Sequence, residues 1–131
     1  MSVIGGYFGL EPKSGKKQEP PHSSMYKVNS GRNALALAIR SMNCKKIHIP
    51  YYTCGVISMM LAMHQIDYEY YWINEDLSPR INGIGDEETV LITNYFGICD
   101  RKVNTIIETG RNLILDNAQA FFHIPLLDID T

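Results

Sequence analysis

The sequence predicts an α/β domain built on a mostly parallel sheet, and three observations lead there. Segments of strand character alternate with segments of helical period, as in βαβ units. The short apolar runs Val90-Leu91-Ile92 and Leu113-Ile114-Leu115 suit strands covered on both faces. The stretch from Ile73 to Thr89 is close to the dozen residues that a parallel return requires.

The elements follow in chain order. Residues 1–25 hold Gly5-Gly6-Tyr7-Phe8 and a polar stretch ending in Pro20-Pro21, an irregular entry arm and no core element. Residues 26–29 are short and extended. Ser30 is a good helix N-cap, and Ala34, Leu35, Leu37, Ala38, Ile39 and Met42 follow it, so a first helix runs to about Asn43. A strand over 46–49 is stopped by Pro50. Thr53 can cap a second helix reaching about His64. Its apolar residues, Val56 to Met63, surround most of the cylinder, which predicts burial against the sheet and against a partner. A strand over 68–73 comes next. The crossover over 74–88 is rich in turns, holds Pro79, Gly83 and Gly85, and leaves room for a scrap of helix. Residues 89–93 form the next strand. Asp100 caps a third helix with Val103, Ile106 and Ile107 on one face and Gly110 at its stop. The apolar strand over 113–115 ends in Asp116.

Composition limits the function classes. The 131 residues are room for one domain, here 26–131 behind the arm. Hydrophobic content of 45% and charged content of 20% fit an ordinary soluble globular chain. A net charge of −2, with no Lys/Arg stripe on any predicted helix, gives no footprint for nucleic acid. Lys13, Lys16 and Lys17 form a solvated basic cluster. Met1 to Leu10 lacks the pattern of a signal peptide, and Val56 to Met63 falls far short of the ~20 residues that span a bilayer. Cys44, Cys54 and Cys99 are odd in number and lack metal-like spacing, so reduced thiols in the cytoplasm are expected. His22 and His123 have no partner at metal-site spacing, so no metal is expected. His48 and His64 read as packed or surface histidines, and Tyr68, Tyr70, Tyr71 and Trp72 as strand packing.

In open α/β sheets, ligands bind outside the carboxyl ends of the strands. Pro50, Asn94 and Asp116 each follow a predicted strand, so parallel strands aim all three segments into one crevice. The helix start at Ser30 offers free N–H groups and a positive dipole end, which suits a phosphate. There Gly31 admits an anion close to the backbone and Arg32 can add a charge-assisted bond. A plain capped helix is the competing account. Asp116, ending an apolar strand, needs a partner or a wet crevice. A pyridinium N–H is one partner, and a loop cap is the other reading. Gln119 and Asn94 can each bond a ring hydroxyl or satisfy a loop. Cys54 and Tyr52 lie just past a strand end and can line the pocket or cover a ring face, although a buried structural role is commoner for any cysteine.

These residues together give the chain a resemblance to the N-terminal half of the large domain of a fold-type-I aminotransferase dependent on pyridoxal phosphate (PLP). It most resembles the DegT/DnrJ/EryC1/StrS sugar-aminotransferase family. Ser30-Gly31-Arg32-Asn33-Ala34-Leu35 resembles that family's Ser-Gly-Thr-Ser-Ala-Leu, and Pro50-Tyr51-Tyr52-Thr53-Cys54 its Pro-x-Phe/Tyr-Thr-aromatic turn. Asn94-Tyr95-Phe96-Gly97 resembles its His-x-Phe/Tyr-Gly, and Leu115 to Ala120 its Glu-Asp-Ala-Ala-Gln-Ala. Order and rough spacing agree from about Tyr26 to Phe122. The resemblance implies Gly31, Arg32 and Asn33 at the phosphate, Cys54 at the ring-stacking position, Asn94 and Gln119 near the ring hydroxyl, and Asp116 on the pyridine nitrogen. It also implies a homodimer or pairing with a homologous subunit.

Departures follow. Cys54 replaces an aromatic, and Leu115 an acid. No lysine follows Lys102, whereas the family places its Schiff-base lysine after the position of Gln119. The expectation is therefore a truncated or degenerate aminotransferase-like protein, inactive alone, whose parent reaction moves an amino group to a keto nucleotide-sugar in polysaccharide or secondary-metabolite synthesis. In the family, later strands lie between the acid-bearing strand and the one after the first helix. Residues 46–49 would then lose neighbours, giving a distorted sheet or a dimer that covers the gap. The alternative is a non-catalytic α/β ligand-binding or interaction module. A flavodoxin-like or receiver-like domain fits the coarse pattern but finds no Gly-rich first turn and no acidic cluster near residues 46–49.

Overall fold

Ser30 holds extended backbone (φ −160°, ψ 156°), and its Oγ accepts the Asn33 N–H at 3.3 Å. That cap starts helix α1, Gly31–Ser41. The computed structural model describes residues 26–121. The entry arm, its lysine cluster, His22, Phe122, His123 and the rest of the tail lie outside the described residues. Helix α1 ends about two residues earlier than its apolar pattern suggests. Asn43 turns left-handed (φ 50°), and the Cys44 N–H returns to the Ile39 carbonyl. Helix α2, Gly55–Met63, stops the same way, with Gln65 at φ 56° and the Ile66 N–H on the Leu61 carbonyl.

Strand β1, Lys46–Pro50, follows α1, and β2, Asp67–Tyr71, follows α2. After a crossover of turns come β3, Thr89–Thr93, a 3₁₀ turn over Tyr95–Gly97, helix α3, Asp100–Ile107, and β4, Leu113–Asp116. The crossover holds an isolated bridge from Ile73 to Pro79 in place of any helix. All strand pairs are parallel, in the order β2-β1-β3-β4. The fold is thus α/β, a four-stranded parallel sheet between helical layers.

Alternation along the strands divides the core. Ile47, Ile49, Leu91 and Ile114 face α1 and α2, meeting Leu35, Ile39, Met60 and Leu61. Val90, Ile92, Leu113 and Leu115 face α3 and the crossover, meeting Val103 and Ile81. Both faces of β3 and β4 are covered, which is why their sequences are unbroken apolar runs.

Three expectations need correction. Residues 46–49 do not lose their neighbours, because β1 is a central strand paired with β2 and β3. The sheet is regular among the described residues. Helix α2 buries Met60 and Leu61 against the sheet and leaves Met59 and Met63 at 65% and 81% exposure, on the side the expected partner would cover. Thr53 is not its cap; Cys54 is, without a side-chain bond. Asp100 is the first residue of α3 and not its cap, a position Cys99 holds.

Candidate functional site at the carboxyl edge of the sheet

The strand order fixes where a crevice opens. From β1 the chain moves outward to β2, then crosses back and moves outward the other way through β3 and β4. The reversal lies between β1 and β3, the topological switch point where open α/β sheets bind ligands. The pairing itself parts there. Strand β1 stays paired with β2 as far as Pro50 and Tyr71, but with β3 only at Ile47–Thr89 and His48–Val90. Pro50 explains the parting. The Tyr51 N–H donates to Tyr71, so position 50 faces β3, and a proline has no N–H to offer.

Three strand tips frame the opening. The Tyr95 hydroxyl donates to the Tyr52 carbonyl at 2.7 Å, and the two rings lie 5.3 Å apart. Burial pushes the Tyr95 phenol up to about 12; the charge on Asp116 adds to the rise, and the neighbouring Thr93 hydroxyl opposes it. The Phe96 N–H donates to Gln119 Oε1 at 3.0 Å, tying the tip of β3 to the turn after β4.

Thr93 and Asp116 are register partners at the ends of β3 and β4. By alternation from Leu91 and Ile114, both stand on the face that α1 covers. Helix α1 ends where β1 begins, so it starts at the opposite, carboxyl edge. Eleven helical residues and five strand residues both span about 16 Å, which sets Gly31 level with the tips. Gly31, Cys54 and Asp116 therefore share one edge and one face.

The predicted site residues fare differently. Gly31 is open, with nothing within 4 Å of the position a Cβ would take. Arg32 is exposed, and Asn33 spends its amide on the Asn29 side chain. Cys54 is exposed with a free thiol, as are the free thiols of half-buried Cys44 and buried Cys99 elsewhere. Asp116 is half-buried and one oxygen, Oδ1, accepts the Ala118 N–H at 2.8 Å. Gln119 commits its oxygen to Phe96. Asn94 departs from its expected role. It is buried, its Oδ1 accepts the Cys99 N–H and its Nδ2 donates to Asp100 Oδ1 at 2.7 Å, so both ends serve the start of α3.

Two atoms at the same edge were not singled out by the sequence. Thr93 Oγ1 and Asn117 Oδ1 are buried without a hydrogen-bond partner. Thr93 is 7% exposed, so this oxygen is stripped of water, with the Tyr95 hydroxyl close enough to temper that phenol's rise but no hydrogen bond of normal geometry. Position alone signals them, each lying beside a strand end in a segment already of interest.

The remaining polar features lie elsewhere. His48 is buried on β1, with Nε2 3.0 Å from Glu88 and Nδ1 3.8 Å from Glu69, and Lys46 reaches both carboxylates. This cluster occupies the amino half of β1. A concavity of about 630 Å³ runs between the crossover and α3, lined by Ile81, Ile84, Lys102, Ile106 and Arg111, and shares none of the crevice residues. Among the described residues, no group of three His, Cys, Asp or Glu side chains could hold a metal ion, and no helix is long and apolar enough to cross a membrane. Comparison with protein-family models, with curated proteins and with solved structures finds no match to this chain.

Proposed function

We propose that the switch-point crevice receives pyridoxal 5′-phosphate, and that the chain is aminotransferase-like, its parent reaction moving an amino group to a keto sugar. The observation that carries this reading is the pair of unpartnered buried oxygens, Thr93 Oγ1 and Asn117 Oδ1, beneath converging strand tips. A native fold rarely strands such atoms, and a polar ligand or water completes them.

The residues present fit the phosphate and the ring nitrogen. The N–H groups of Gly31 and Arg32 at the start of α1 are left for an anion, with the Ser30 oxygen already engaged by Asn33. Arg32 adds positive charge. Asp116 keeps Oδ2 for a pyridinium N–H while Oδ1 braces the turn. Gln119 keeps its NH₂ group for a ring hydroxyl. Bound there, the cofactor would supply an electron sink. The residues do not fit its carbonyl. Lys45 and Lys46 stand at the opposite end of β1, and Lys102 is paired with Asp76 at 2.9 Å. Lys27, three residues before the Ser30 cap, is the exposed lysine nearest the start of α1. On this reading the described stretch binds and orients, and Lys27 is the one of its own amines to check at the tips.

A homodimer, or pairing with a homologous subunit, is part of the proposal. The stripe Val56, Met59 and Met63 on α2 is exposed and uncharged, which favours cover by another chain. Three free thiols suit a reducing cytoplasm. A non-catalytic ligand-binding module is the second reading, favoured by Asn94, whose amide is committed to α3 and leaves the ring hydroxyl one partner fewer.

Titration of the protein with the cofactor, followed by absorbance and by borohydride reduction with peptide mapping, tests the proposal. Saturable binding without covalent attachment or turnover with glutamate is expected. Attachment at one of the chain's own lysines would overturn the assignment of roles, and no binding at all would overturn the site.

A further inference from the structure

We infer that Phe96 is the wall against which the planar ligand lies, and that Gln119 is the positioning residue that holds it there. The inference rests on the reading of the crevice as a site for a ring bearing a phosphate.

Phe96 carries two oddities at once. Its backbone is left-handed (φ 56°, ψ 8°), a region that bulky residues avoid, although Gly97 beside it is free to take such angles. Its ring is also 59% exposed, beside a buried Tyr95 whose ring lies 6.5 Å away. Leu77 in the crossover is also left-handed, but it is half-buried against the α3 core and so has a packing return. Phe96 belongs to neither core cluster, and its ring lies tilted against Tyr95.

The strand tips hold it in that state. Gln119 Oε1 takes the Phe96 N–H at 3.0 Å, and a Cβ on Gly97 would meet Ala120 Cβ at 3.5 Å, so the two tips ride close together. Rings run from Tyr52 through Tyr95 to Phe96, from the tip of β1 across the parting to the tip of β3. Cys54, at the position where stacking was expected, is a thiol without a flat face. Phe96 supplies that face. A conjugated ring against it recovers apolar contact and repays the strained backbone.

The test compares PLP with inorganic phosphate, by fluorescence titration and equilibrium dialysis, on the whole chain. Phe96→Gly relieves the backbone and removes the ring. Its denaturation midpoint should rise, its affinity for PLP should fall about tenfold, and its affinity for phosphate should not change. Phe96→Leu should lose PLP affinity without the gain in stability. Gln119→Leu should mimic the loss, and Gln119→Glu, which keeps the acceptor for the Phe96 N–H but gives up the NH₂ donor to the ring hydroxyl, should recover only part of it. Equal weakening of PLP and phosphate in Phe96→Gly, or unchanged PLP affinity there, would overturn the inference while leaving the crevice standing. Wild-type protein that binds neither probe would overturn both.

Discussion

A buried hydroxyl without a partner destabilises a fold by about 1–3 kcal/mol. Thr93, with only the neighbouring Tyr95 hydroxyl in poor geometry, bears part of that cost. Thr93→Val keeps the shape and removes the oxygen, so it should stabilise the free protein by about 1 kcal/mol in denaturant titration and weaken PLP binding. Loss of stability instead would mean that the hydroxyl already has a partner. A second residue-scale prediction concerns Glu88. The hydrogen bond from His48 holds its carboxyl well below the usual range, down to about 2, helped by the Gly85 N–H and by the charges on His48 and Lys46. A carboxyl depressed in the folded state stabilises the fold above its unfolded value of 4.5 and loses that contribution as pH falls toward 2. Melting temperature against pH should slope through that window in the wild type and flatten in Glu88→Gln. His48 itself was read as an ordinary histidine, since its partners lie 21 and 40 positions along the chain, beyond any local pattern.

Elements were legible where a local rule had no rival. Strands β3 and β4 announce themselves as apolar runs because both their faces are covered, and α1 announces its start through Ser30. Ser30→Ala should cost about 1 kcal/mol in chemical denaturation, and an unchanged midpoint would show that the cap bond contributes nothing. The misread boundaries share one physical cause. Thr53 and Asp100 are good caps in sequence, yet the chain uses Cys54 and Cys99, because the pull of the strand tips decides where each helix begins. The α3 start is built by Asn94, five residues before the cap, through a buried side chain that no cap pattern includes. Pro50 reads as a strand stop; in fact it remains in β1 and ends the pairing on one side only.

At the scale of the molecule, strand order was not legible, since apolar runs do not say which strand neighbours which. Order is nonetheless what makes the site. The turn-back between β1 and β3, the parting at Pro50 and the level start of α1 bring Gly31, Cys54, Asp116 and Gln119 to one edge. The sequence could list them and could not show that the Asn94 amide is committed to α3 or that Phe96 is left-handed with an exposed ring. Sedimentation at rising concentration should show the proposed self-association, and Met63→Lys on the exposed stripe of α2 should abolish it; a wild type that stays monomeric throughout would refute the pairing. The central claim is that this edge is a cup for a ring with a phosphate. Calorimetric titration with PLP, with pyridoxal and with inorganic phosphate tests it most directly. The account predicts that PLP binds more tightly than either part, and that Asp116→Asn weakens PLP and pyridoxal but not phosphate. No heat with PLP, or PLP binding that Asp116→Asn leaves untouched, would contradict it.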